Sequence, residues 1–281
     1  MPRRHRRGTL AGDGRARDPR CRPGPGRGGA LRRLTGLERV TPAAAASGRL
    51  AVLPRLGLGP STAEVLNRFI DEALPPSGAV VLDAGCGRVS ALTAFRARIA
   101  RLVGVDIHTP EPPLSWLDEF HVADLCTVPD AFPPASFDVA LSSFTLEHFA
   151  DPDAAMRHIH GWLRPGGTLI VTTVNRRHPL VNAYLSLPGA VGRPLQRAVK
   201  ATAADAHPLV GACNSPRRVR EALSGAGFVA IQVRTTAHLA RAWQRRLPAF
   251  GLGVLGDLAA QRFPERRSTI VARARVAPLE E

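Results

Sequence analysis

The sequence has little lysine, tyrosine and cysteine. Lys200 is its only lysine and Tyr184 its only tyrosine, so arginine carries almost all of the positive charge. The cysteines are scattered and no two form a C-x-x-C pair, which argues against a disulfide framework and a compact zinc site. The pattern favours a reducing compartment, and we expect a cytoplasmic protein. The four cysteines are Cys21, Cys86, Cys126 and Cys213.

Long apolar runs are also missing. No run reaches the roughly 18 residues that a membrane helix needs, so we expect no transmembrane segment. Residues 1–60 lack the apolar core of a secretory signal. They are rich in arginine and poor in acids, as transit peptides are, but the first serine is Ser47, which weakens that interpretation.

The charge is unevenly distributed. The chain carries a formal net charge of +15, yet residues 1–60 hold 14 arginines and 3 acids, which leaves 61–281 nearly balanced. We therefore predict a disordered Arg/Gly/Pro-rich tail over residues 1–48 and one folded domain over 49–281. The tail has two interpretations, a basic arm for RNA or membrane and a flexible or leader segment, and its composition favours the second. The balanced domain gives no reason to expect a specific nucleic-acid partner.

Strand and helix patterns alternate along the domain. Ser61 and Glu64 form a capping-box pattern that opens a helix to about residue 73. This alternation predicts an α/β fold, a doubly wound and mostly parallel sheet with helices on both faces. We predict strands over 79–83, 102–106, 120–123, 137–141, 168–174, 228–234 and 269–276, and further helices over 89–99, 151–163 and 215–227.

Two irregular stretches interrupt this rhythm. They cover residues 176–214 and 237–267. Long insertions in compact domains are more often functional than idle. In a parallel α/β sheet they would lie over the carboxyl ends of the strands, where ligands bind. We therefore predict that both insertions are on the substrate side.

The most informative motif joins a glycine turn to an acid. The apolar run that begins at Val80 ends in Asp83-Ala84-Gly85-Cys86-Gly87, and the next apolar run ends at Asp106. Glycines let backbone N–H groups approach a ligand, and an acid at this distance binds the two ribose hydroxyls. The pair predicts a nucleoside cofactor, although Asp106 as a helix cap is an alternative.

Further motifs in the same order resemble class I S-adenosylmethionine-dependent methyltransferases. The resemblance covers roughly residues 60–276. It implies a seven-stranded Rossmann-like sheet with an antiparallel last strand, and S-adenosylmethionine as cofactor. The motifs are 81–87, Val105-Asp106, Ala123-Asp124-Leu125, the region from Phe137-Asp138 to Asp151-Pro152, and the turn 163–168.

The resemblance also assigns roles. Gly85 and Gly87 admit the cofactor, Asp83 lies near its methionine part, and Asp106 holds the ribose. Asp124 accepts a hydrogen bond from the adenine amine. The remaining cofactor-binding residues by this resemblance are Cys86, Ile107 and Leu125.

Some of these positions have plainer interpretations. Asp124 is alternatively a surface or capping acid, and Cys86 is more readily a small packing residue than a nucleophile. Asp138 is expected to be structural, and residues 164–167 to be a turn. Where the family usually has one more glycine, this chain has Val89, which predicts either a slightly different loop or a lower cofactor affinity.

Rival functions lack their motifs. A nicotinamide dehydrogenase needs a third glycine where Ser90 stands. An adenine-N6 methyltransferase would have an Asn/Asp-Pro-Pro-aromatic run in place of Ser142-Ser143-Phe144-Thr145, and a cytosine-C5 enzyme needs a Pro-Cys pair that does not occur. A small-molecule acceptor, with a hydroxyl favoured, is the leading prediction. An RNA or lipid-quinone methyltransferase and a non-catalytic cofactor-binding partner subunit are the alternatives. The oligomeric state stays open.

Three histidines are candidates for the general base that a hydroxyl acceptor requires. His148 follows strand four, whereas His178 and His207 lie in the first insertion. Each is more often a surface or packing residue. Glu147-His148 could serve as metal ligands, but without a clear third ligand we predict no metal site.

Overall fold

A seven-stranded sheet forms the centre of the computed structural model, which describes residues 48–187, 210–244 and 246–279. The strand order is β3-β2-β1-β4-β5-β7-β6. The strands are β1 Ala79–Ala84, β2 Ile99–Asp106, β3 Glu119–Val122, β4 Phe137–Ser143, β5 Leu163–Val174, β6 Val229–Thr236 and β7 Thr269–Arg275.

Only β7 runs against the other strands of this sheet. It pairs antiparallel with β5 and with β6, whereas the pairs among β1 to β5 are parallel. This arrangement confirms the predicted doubly wound, seven-stranded Rossmann-like sheet with an antiparallel last strand. Because the parallel strands share a direction, their carboxyl ends meet at one edge.

Helices cover both faces of the sheet, as predicted. On one face α1 packs through residues such as Phe69 and Ile70. On the other face α2 packs through Ile159 and Trp162, and α4 through Leu223. The helices described are α1 Thr62–Ala73, α2 Pro152–Trp162, α3 Pro179–Leu185, α4 Pro216–Gly225, α5 Leu239–Ala242 and α6 Leu247–Ala259.

The capping box of α1 is present. The Ser61 hydroxyl accepts the Glu64 N–H at 3.2 Å, and the Ser61 N–H donates to the Glu64 carboxylate at 2.6 Å. Both bonds satisfy backbone groups that a helix terminus would otherwise leave unpaired. The helix begins at the predicted position and ends at Ala73.

The connection after β1 differs from the prediction. A helix was predicted over 89–99, and the structure has a shorter 3₁₀ helix, Ala91–Arg98, which the Ser90 hydroxyl caps.

No α-helix connects β2 to β3. Pro110, Pro112 and Pro113 lie in that connection, and proline removes the N–H that an α-helix interior needs.

The turn predicted at residues 164–167 is part of β5. Leu163 pairs with Phe137 and Thr168 pairs with Val139, so the four residues form a bulge between two registered positions. Asp138 lies opposite this bulge, where it accepts the Val80 N–H at 2.8 Å and pairs with the Arg164 guanidinium at 2.5 Å. These contacts join β1, β4 and β5, in agreement with a structural role for Asp138.

The described parts of the two insertions pack against each other. Helix α3 follows β5, α5 follows β6, and Val181, Tyr184, Leu239 and Trp243 form a shared apolar cluster. Because β5 and β6 both end at the carboxyl edge of the sheet, this cluster lies at that edge. Residues 1–47 and 188–209 lie outside the described residues, so the predicted tail and the domain boundaries stay predictions.

Candidate active site

The glycine loop begins where β1 ends. Gly85 has φ +77° and Gly87 has φ +51°, in the left-handed region that favours glycine. A Cβ on Gly85 would lie 2.3 Å from Cγ2 of Thr145. The N–H groups of Gly85 and Cys86 both donate to the Val105 carbonyl, at 2.8 and 3.2 Å. The loop is therefore held against β2, and position 85 has no space for a side chain.

Asp106 ends β2 directly beside this loop. Its Oδ2 accepts the Gly87 N–H at 3.1 Å, and its Oδ1 accepts the His108 N–H at 3.2 Å. The sequence predicted that these two elements meet, and the two bonds fix the orientation of the carboxylate. The side chain of Ile107, the next residue, is 50% exposed.

Asp83 lies beneath the loop and is only 2% exposed. Its Oδ2 has no hydrogen-bond partner among the described residues. Burial raises the pKa of Asp83, a hydrogen bond from Ser90 opposes the shift and the charge of Asp106 adds to it, so that the pKa is about 7. A buried carboxylate oxygen without a partner is costly. It would be satisfied by a cationic or N–H group of a ligand in the loop.

Asp124 and Leu125 follow the neighbouring strand β3. Asp106 pairs with Val122, so the ends of β2 and β3 are adjacent. Asp124 is exposed, and its Oδ1 accepts the Cys126 N–H at 2.9 Å, which closes an Asx turn. Leu125 is buried. The structure thus places the two acids, Asp106 and Asp124, on adjacent strand ends.

Cys86 and Val89 complete the loop. Cys86 is buried, and burial raises the pKa of its thiol, an effect that the charges of Asp83 and Asp106 strengthen. A thiol of raised pKa is a poor nucleophile, which agrees with a packing role. Val89 is 81% exposed, so its β-branched side chain fits without entering the loop.

His148 lies just past β4, in the 3₁₀ helix Leu146–His148. Its side chain is half-buried. Glu147, next to it, is buried and accepts the Thr173 hydroxyl at 2.8 Å, while its carbonyl accepts the N–H groups of Val210 and Gly211. Glu147 therefore joins the β4 end to β5 and to the end of the first insertion.

Of the other two candidate histidines, the structure describes only His178. His178 is buried, its Nδ1 accepts the Val181 N–H at 3.4 Å as the cap of α3, and a Cβ on Gly256 would lie 3.1 Å from its ring. Burial lowers the pKa of His178. His207 lies outside the described residues.

The structure adds a residue that sequence reasoning missed. His238 follows β6, and its ring stacks on Phe144 with centroids 5.5 Å apart and planes 29° apart. Burial lowers the pKa of His238 to about 4, with Arg241 adding to the shift, so the imidazole is neutral near pH 7. Phe144 has φ +55°, an uncommon value for an aromatic residue. The only signal in the sequence was the position of His238 in the second insertion.

The described residues also bear on membrane insertion and on metal binding. Within the described ranges, no helix is long and apolar enough to cross a membrane. In the same part of the chain, histidine, cysteine and acidic side chains form no group of three that could hold a metal ion.

The chain is similar in sequence to known methyltransferases. An uncharacterised methyltransferase of Mycobacterium tuberculosis is 32% identical over 115 residues, which are 37% of this chain and 55% of that protein. The chain thus spans about half the length of that relative. Nocamycin O-methyltransferase of Saccharothrix syringae is 28% identical over 229 residues, 74% of this chain and 80% of that protein.

A similar fold occurs among solved structures. One chain in the complex of the Haloferax volcanii Trm112 methyltransferase activator with a methyltransferase aligns with a TM-score of 0.50 and 21% identity, over 85% of this chain and 97% of that chain. Residues 61–233 match the family model of a methyltransferase domain. With the sheet order and the loop between β1 and Asp106, this match shows that the chain belongs to the class I S-adenosylmethionine-dependent methyltransferases.

Proposed function

We propose that the chain binds S-adenosylmethionine at the carboxyl ends of β1, β2 and β3 and transfers its methyl group to the hydroxyl of a small molecule. The observation that carries the proposal is the Asp106 carboxylate, which the Gly87 N–H holds beside a loop with no space for a side chain at position 85. A ribose diol donates two hydrogen bonds, and a carboxylate accepts both. Family membership supports the same cofactor.

Asp83 supports the cationic part of this ligand. Its unpaired Oδ2 is buried beneath the loop. The methionine part of the cofactor carries an ammonium and a sulfonium, and either group, directly or through water, offsets a buried negative charge. Asp124, which follows the neighbouring strand β3, would accept a hydrogen bond from the adenine amine. The Leu125 backbone lies beside it.

The sulfonium makes the methyl group electrophilic when the cofactor is bound. The protein's contribution is to align the acceptor with that group and to exclude water. A hydroxyl acceptor must also lose its proton, and we assign that step to His148, which lies just past β4. The neutral ring of His238, stacked on Phe144, would position the acceptor rather than remove its proton, because a pKa of about 4 makes it a weak base.

A hydroxyl acceptor is also consistent with the relatives. The Saccharothrix syringae protein, which aligns over 74% of this chain, is by its name an O-methyltransferase. This likeness supports the transfer of methyl to oxygen but leaves the acceptor itself unnamed.

Titration calorimetry with S-adenosylmethionine tests the cofactor site. Asp106→Ala removes two charge-assisted hydrogen bonds of about 1.5–3 kcal/mol each, so we expect the affinity to fall at least about a hundredfold. Asp130→Ala, an exposed acid in the 3₁₀ helix Pro129–Ala131, removes the same charge elsewhere and should bind normally. Normal affinity in a folded Asp106→Ala variant would disprove the cofactor site.

Turnover separates an enzyme from a cofactor-binding partner subunit. Labelled S-adenosylmethionine is incubated with pooled hydroxylated small molecules and the purified chain. Transfer of label to any of them supports catalysis. Tight cofactor binding without transfer, over acceptors of all classes, would favour the partner subunit.

A further inference from the structure

A cavity lies near the β6 edge of the sheet, away from Asp106 at the end of β2. Its volume is 430 Å³, and it lies between α1 and the strands β6 and β7. Four strands separate β6 from β2, which at about 4.8 Å per strand places the cavity roughly 24 Å away from the β2 end. The charged residues among its described lining are Arg68, Arg234, Arg267, Arg273 and Glu72. The cavity therefore has an excess of positive charge.

Arg273 already neutralises the acid of this cavity. Its guanidinium pairs with Glu72, donates to the Gln232 side chain at 3.2 Å, and lies 4.7 Å from the centre of the Phe69 ring. Glu72 and Arg273 thus form a closed pair. The positive charge of the other three arginines remains.

Those other arginines are not committed to acids. In the part of the chain that the structure describes, the side chains of Arg68 and Arg234 make no hydrogen bond or ion pair. Glu64, one turn before Arg68 in α1, has a pKa that is lowered chiefly by hydrogen bonds from Ser61 and least by Arg68. Glu64 is therefore engaged at the helix cap. The two guanidinium groups are available to an incoming anion.

Arg267 gives the most specific indication. Its Nε is buried and has no hydrogen-bond partner among the described residues, while its Nη1 donates to the Thr235 carbonyl at 3.5 Å. An unsatisfied buried donor costs free energy. The Arg267 side chain lines the cavity, so this donor lies close to any acceptor atom that enters it.

We propose that this cavity binds the phosphate group of a small phosphorylated molecule. A guanidinium fork matches phosphate oxygens with two parallel hydrogen bonds. The apolar lining of Pro60, Val65 and Phe69 lowers the local dielectric constant and strengthens that attraction. A volume of 430 Å³ suits a small ligand.

Inorganic pyrophosphate is the probe, and calorimetry on the full chain is the measurement. We expect one site whose affinity falls about tenfold or more in Arg234→Ser and in Arg68→Ser, since each removes a charge-assisted contact. Arg217→Ser is the matched control. It removes an exposed arginine of α4 that pairs with Glu221, outside the cavity, and should bind pyrophosphate normally.

Several results would overturn the proposal. The first is no binding of pyrophosphate by the wild type. The second is an equal loss of affinity in Arg217→Ser, which would indicate non-specific attraction. The third is competition by S-adenosylhomocysteine, which would place the anion in the cofactor site. Stronger binding to phosphatidylcholine vesicles that contain phosphatidic acid than to pyrophosphate would replace the soluble ligand with a lipid headgroup. Should Arg234→Ser unfold, Arg68→Ser on the exposed surface of α1 decides alone. None of these measurements depends on methyl transfer.

Discussion

The two sides of the carboxyl edge are built in different ways. The cofactor side, residues 79–124 of β1 to β3, is assembled from one continuous segment whose parts are joined by backbone bonds such as those to the Val105 carbonyl. The acceptor side, named here for its proposed role, is made of the ends of β4, β5 and β6 with α3 and α5, and it brings Phe144 onto His238 and α3 onto α5 from separate connections. A local motif can fix the first side. Only long-range packing fixes the second.

This difference also separates the effects of mutations. A change on the cofactor side is expected to weaken S-adenosylmethionine binding, whereas a change on the acceptor side is expected to slow transfer and leave cofactor affinity intact. The following variants test that separation.

The largest effect is expected on the acceptor side. His148→Gln and His148→Ala remove the proposed general base, so single-turnover methyl transfer should slow by about 10²–10⁴-fold. Cofactor affinity, measured by calorimetry, should not change. If both variants transfer methyl at the normal rate, His148 is structural, and His178 and His207 become the next candidates. A lower melting temperature with a normal rate would point to a loop-organising role for Glu147-His148.

The next effect is expected in the glycine loop. Gly85→Ala introduces a Cβ 2.3 Å from Thr145 at φ +77°, and the combined strain and displacement should weaken cofactor binding by about 10²–10³-fold. Gly161→Ala in α2 is the matched control, because a Cβ there meets nothing within 4 Å. Calorimetry that gives both variants wild-type affinity would contradict the assignment of the loop.

A pH effect follows from Asp83. Its pKa of about 7 in the folded chain exceeds the unfolded value of about 3.9, so the folded state holds the extra proton and stability falls as the pH rises from about 4 to about 7. Asp83→Asn should therefore raise the free energy of unfolding by up to about 4 kcal/mol near pH 8, and by little near pH 4. Its S-adenosylmethionine affinity should fall. Melting temperatures at both pH values measure the gain, and a gain that is equal at the two would contradict the buried charge.

The smallest effect is expected for the basic tail. Residues 1–48 carry most of the net charge but have no core-forming pattern. Deletion of this segment should change neither the melting temperature nor the turnover of the remaining chain by a measurable amount. A large drop in either would mean that the tail contacts the domain or the acceptor, and that the two sides of the edge do not describe the whole site.

The fold was predictable because it rests on local signals. The alternation of apolar runs with capped helices determined an α/β sheet, and the Ser61 capping box located the start of α1. The errors have local causes as well. The helix predicted over 89–99 is a shorter 3₁₀ helix that begins after the Ser90 cap, and the predicted turn at 164–167 is a strand bulge because Leu163 and Thr168 both pair with β4.

The loop beside Asp106 was also predictable from sequence, because its geometry depends on backbone conformation over a short segment. A glycine with positive φ, followed by a second strand that ends in an acid, requires Gly85 and Asp106 to meet at the sheet edge. Local sequence signals therefore determined the sheet and the loop, and they predict the class of ligand.

The contacts on the acceptor side could not be predicted from sequence, because they depend on the tertiary structure. No spacing rule relates Phe144 to His238, since their contact depends on how β4 and β6 are placed in the sheet. The sequence did not indicate that Asp83 has a buried oxygen without a partner, or that Arg68, Arg234 and Arg267 line one cavity. Burial and charge balance are properties of the whole packed chain, so they appear only when distant segments are brought together.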